Sequence, residues 1–71
     1  MDKNFIKELN LAFNAAMAYR DTKDPFYYKK GKAACKTLVI KYKEQLMGCE
    51  QKYWIAFSFA ASMFSMTKIN N

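Results

Sequence analysis

The stretch from Tyr53 to Thr67 carries no charged residue, and on a helical wheel its polar side chains make only a narrow stripe. With the residues just before it, that stripe is Gln51, Ser58, Ser62 and Ser65. Tyr53, Phe57, Phe59, Ala60, Met63, Phe64 and Met66 fill the rest of the circumference, with Trp54 and Ile55 at the stripe's edges. A helix that is apolar nearly all round must be buried nearly all round. The run is shorter than the ~20 apolar residues that span a bilayer, and it contains three serines. It therefore reads as a buried helix over about 50–68 and not as a membrane span.

Two further helices precede it. Phe5, Ile6, Leu9, Ala12, Phe13, Ala16 and Met17 recur at helical spacing and predict a helix over about 4–19, capped by Asp2 or Asn4. Leu11, Ala15 and Ala18 add a thinner second apolar stripe. The clearest punctuation is Asp21-Thr22-Lys23-Asp24-Pro25. Asp24 can cap a helix there, and proline at the first helical position loses no needed hydrogen bond. A second helix is expected over 25–47, stopping at Gly48 as a left-handed cap. Its inner face would be Tyr28, Gly31, Ala34, Cys35, Leu38, Val39, Tyr42 and Leu46, with the small residues admitting a neighbouring helix closely. The expected fold is a single all-α domain over 1–71, built from three helices.

Seventy-one residues lie at the lower edge of what one hydrophobic core can stabilise. Small domains make up the shortfall with a disulfide, a metal or a partner chain. There is no histidine, and Cys35 and Cys49 are the only cysteines, so a structural zinc site lacks its usual ligands. A helix running from Cys35 to Gly48 separates the thiols by roughly 18 Å, against the ~7 Å limit for bridged Cα atoms. Two neighbours of this size also cannot enclose a third helix apolar on every side. Homo-oligomerisation is the expected remedy, through Tyr53, Trp54, Phe57, Ala60, Ala61 and Phe64. Free thiols and the lack of an apolar segment after Met1-Asp2-Lys3-Asn4 point to the reducing cytoplasm, without a signal peptide.

The net charge is +6 and the pI about 9.5, which favours anionic partners. Eleven of the twelve basic residues are lysine, which suits phosphate contact better than base readout by the arginine fork. The most suggestive segment is Asp24-Pro-Phe-Tyr-Tyr-Lys-Lys-Gly-Lys32, where aromatic rings alternate with lysines at a helix start. Lys29, Lys32, Lys36 and Lys43 then follow one flank of the second helix, with Lys30 and Lys41 on the other. The expected anion-binding set is Tyr27, Lys29, Lys30, Lys32, Lys36 and Lys43, with Tyr27 or Phe26 stacking on a base and the lysines holding phosphates.

Catalysis is not expected. The serines have neither a histidine base nor a glycine-rich turn to present them, and the carboxylates show no paired spacing. No cofactor or metal is implied. What the residues predict is a non-catalytic binding protein that occludes or sequesters nucleic acid or a complex that handles it. Its size and texture are similar to those of short helical phage or mobile-element accessory proteins. Two other readings compete: a protein–protein inhibitor or assembly scaffold, and an oligomeric sponge for a small nucleotide.

Overall fold

The computed structural model describes residues 2–65. Four helices follow one another without a strand among the described residues: α1 (Lys3–Thr22), α2 (Pro25–Lys41), α3 (Lys43–Gly48) and α4 (Gln51–Met63). The all-α class agrees with the sequence, and the helix count differs by one. The portion of the third expected helix beyond residue 65 lies outside the described residues.

The first helix begins as its cap residue predicts. The Asp2 carboxylate accepts the Asn4 backbone N–H at 2.8 Å, and its other oxygen accepts from the Gln45 side-chain amide at 3.4 Å, linking α3 to the start of α1. The helix runs three residues past the expected end. Arg20, Asp21 and Thr22 look like loop residues by type, yet Thr22 bonds its hydroxyl back to the Ala18 carbonyl at 2.8 Å and so continues the turn. Lys23 ends it in the left-handed region at φ 59°, its N–H donating to the Tyr19 carbonyl. Asp24 then caps α2 through Phe26 N–H at 3.0 Å, with Pro25 in the first turn.

The expected second helix over 25–47 is broken at Tyr42, where φ −114° and ψ 27° leave the helical region. No glycine or proline marks the site, and Leu38, Tyr42 and Leu46, before, at and after the bend, are all buried. The Tyr42 ring meets Phe5 edge-on at a centroid distance of 6.0 Å. Gly48 also departs from expectation: it is the last residue of α3 and no glycine has positive φ. Positive φ falls instead on Lys23 and Ser65.

Small side chains set the spacing of the bundle. Ala12 and Ala16 of α1, with Gly31, Ala34 and Cys35 of α2, are fully or almost fully enclosed, and α1 packs more extensively against α2 than against any other helix. Phe5, Leu9, Leu38, Phe57 and Phe64 supply the bulk of the core. At one end Phe64 meets Tyr28 edge-on at 5.5 Å, and the Tyr28 hydroxyl donates to the Phe64 carbonyl at 3.2 Å. α4 therefore buries a face made of Phe57, Ala60 and Ala61, extended by its C-cap residue Phe64, inside its own chain. The other face, with Gln51, Ile55, Ser58 and Ser62, is exposed. The expectation that α4 needs burial on every side is not met within one chain.

Candidate functional site

Pro25 to Lys41 contains five lysines and no carboxylate. Because Gly31, Ala34, Cys35 and Leu38 face the core, a turn of about 100° per residue sends Phe26, Lys29, Ala33, Lys36 and Ile40 outward, and all five are exposed. Lys32 lies on one side of this row, partly buried, and Lys30 and Lys41 lie exposed on the other. The row is thus a cationic ridge with an aromatic residue at its start and an aliphatic one at its end.

Aromatic rings orient three of these lysines. The ammonium of Lys30 sits 5.3 Å from the Phe26 ring centre, that of Lys32 lies 5.6 Å from Tyr28, and that of Lys41 lies 5.5 Å from Tyr42. Such contacts are worth about 0.5–1 kcal/mol when exposed, and they restrict long side chains that otherwise lose entropy on binding. Among the described residues the ion pairs are Arg20–Asp21 at 3.5 Å and Lys52–Glu50 at 3.9 Å. Neither involves α2, so its lysines present their charge without a carboxylate partner.

The expected anion-binding residues are only partly brought together. Lys29, Lys30, Lys32 and Lys36 share α2, whereas Lys43 stands exposed beyond the bend, on α3. A shallow cavity of about 360 Å³ at this bend is lined by Ile40, Lys41, Tyr42, Lys43, Glu44 and Gln45. Tyr27 is half-buried and packs edge-on against Phe26 at 5.3 Å. Phe26, the other ring expected there, is 58% exposed and stands on the outer face, opposite the buried Gly31.

The expected self-association residues divide in another way. Phe57, Ala60, Ala61 and Phe64 are buried in the chain's own core, Tyr53 is half-buried, and Trp54 is exposed. Within the single chain, only Trp54 of the six is left largely free for a second molecule.

The remaining reactive groups lie apart from the ridge. Burial pushes the Cys35 thiol up from 9.0 to about 11, which keeps it protonated and inert at neutral pH. Cys49, partly exposed, donates its thiol hydrogen to the Leu46 carbonyl at 3.1 Å. Ser58 and Ser62 face solvent. Among the described residues no group of three or more metal-binding side chains converges, and no helix is long and apolar enough to cross a membrane.

No family model, curated protein or solved structure matches the chain significantly. The functional reading therefore rests on the residues themselves.

Proposed function

We propose that the chain is a non-catalytic protein that binds the phosphate backbone of nucleic acid along the outer ridge of α2 and acts by occluding it. The observation that carries this reading is a helix with five lysines and no acid, none of them in an ion pair among the described residues. Lys29 and Lys36 are seven residues apart on one exposed face, a rise of about 10 Å. That length covers about three phosphates of one strand. Lys30, Lys32 and Lys41 widen the contact on either side, with Phe26 available to stack on an unpaired base. Lysine ammonium groups act as point charges, so the expected recognition is of phosphate and not of sequence. The free thiols of Cys35 and Cys49 suit a reducing compartment such as the cytoplasm.

The test is fluorescence anisotropy with labelled single-stranded and duplex oligonucleotides from about 50 to about 300 mM salt. Affinity should fall steeply with salt, with a slope of about −3 on logarithmic axes for duplex. Lys29→Glu with Lys36→Glu should lower affinity at least ~10-fold and flatten the slope by about 2, with an unchanged circular dichroism spectrum. No binding to either oligonucleotide at low salt would reject the ridge and favour the protein–protein inhibitor, and binding that ignores both salt and the double substitution would reject the ridge as its site.

A further inference from the structure

Away from the ridge, the α3–α4 joint carries a different kind of surface. Met47 is 73% exposed, Trp54 44% and Ile55 58%. Met47 and Trp54 line a shallow cavity of about 410 Å³ together with Cys49 and Gln51. Gln51, Trp54, Ile55 and Ser58 follow one another at the i, i+3, i+4, i+7 spacing of a single helix face, and all are exposed. An apolar depression and protruding aliphatic side chains therefore share one continuous surface.

We infer that this surface is where two copies of the chain meet, in a two-fold dimer built on Met47, Trp54 and Ile55. The argument for a second copy is electrostatic. The whole chain carries +6, so two copies repel each other wherever their lysine ridges approach. The α3–α4 joint is the exception, because Lys43 and Glu44 stand one helical turn before Met47, and Glu50 and Lys52 flank the start of α4. Two positive and two negative groups leave this rim locally neutral. A two-fold axis sets the same patch against itself, and with Lys52 already paired to Glu50 within each chain at 3.9 Å, Lys43 and Glu44 are the charges left to pair across the axis. An acidic partner would be drawn to α2 instead, and a strongly basic one would be repelled by the chain as a whole. Ser58 and Ser62, small and exposed on the same side of α4, place no bulk in the way of a second helix.

Three large side chains per copy make a small interface, and the expected dissociation constant is on the order of 10–100 µM. Sedimentation equilibrium across that range should show a monomer–dimer equilibrium. Trp54 is the only tryptophan, and its emission should shift to the blue at the same midpoint as it loses water. Met47→Glu with Ile55→Glu should leave helicity unchanged and abolish both signals. A neutral interface also predicts a dimerisation constant that changes less than about 3-fold over the salt range that governs phosphate binding. A chain that stays monomeric at millimolar concentration would overturn the inference. So would a dimer that survives the double substitution, or one with no change at Trp54. The wild-type measurements decide the matter even if the variant fails to fold.

Discussion

The ring of Phe64 lies so close to Gly31 that a β-carbon on the glycine would overlap its outer carbons, Cζ and Cε2. Gly31 is thus held in mid-helix by a tertiary contact, against its own poor helix propensity. Gly31→Ala gains about 1 kcal/mol of propensity but forces an enclosed ring to move, at about 1–3 kcal/mol. The expected net effect is a loss of about 1 kcal/mol in urea unfolding. Phe64→Leu in the same chain should relieve the overlap. The double variant should then lose about 2 kcal/mol less than the two single losses added together. Simple additivity would show that Phe64 does not set the identity of residue 31.

Cys35 gives the molecule a specific alkaline weakness. Its thiol titrates near 9.0 in the unfolded chain and near 11 in the fold, because burial disfavours the thiolate. Between those values the native state holds the proton more tightly, so this contribution is complete below pH 9 and is lost as pH rises towards 11. Unfolding free energy measured across that window should fall more steeply for the wild type than for Cys35→Ala. Equal slopes would mean that the thiol is not sequestered.

The same burial predicts which cysteine reacts. A thiol reagent at neutral pH should label the partly exposed Cys49 in the native protein and reach Cys35 only on unfolding. Mass spectrometry of the digested adduct distinguishes the two. Modification of Cys35 at the rate of Cys49 would contradict the enclosed position.

The link between α1 and α2 can be strengthened at one residue and weakened at the next. Lys23 occupies the left-handed region at φ 59°, a conformation that favours glycine. Lys23→Gly should stabilise by about 0.5 kcal/mol, the gain being reduced by the lost contact with the Tyr19 ring. Asp24→Ala removes the acceptor for Phe26 N–H and should cost about 1 kcal/mol. Thermal melts should move in opposite directions, by about 2–4 °C up and about 4–8 °C down.

These residues also mark what the sequence makes legible. Asp2, Asp24 and Pro25 act through neighbours a few positions away, so their helix starts can be read directly. The break at Tyr42 cannot, because Leu38, Tyr42 and Leu46 read as one continuous helix face with no glycine or proline between them. Nor can the fate of α4 be read directly. A wheel shows how much of a helix is apolar but not which arc its own chain covers, and Phe57 and Phe64 proved to be internal while Trp54 and Ile55 did not. For the ridge, lysine content was plain from the outset. Of the two rings the sequence offers beside the lysines, Tyr27 and Phe26, the structure leaves Phe26 the more exposed.

A helix row rich in lysine and without carboxylates also governs how the fold itself meets its medium. Lys29, Lys32 and Lys36 follow one another three and four residues apart on α2. That spacing puts their Cβ atoms about 5–6 Å apart, inside one Debye length at physiological ionic strength, and mutual repulsion of such charges opposes the folded state. Added electrolyte should screen that repulsion and raise the melting temperature, while loosening the proposed hold on phosphate. Ionic strength should therefore act on this molecule in two opposed ways, making the chain most robust where the proposed grip is weakest.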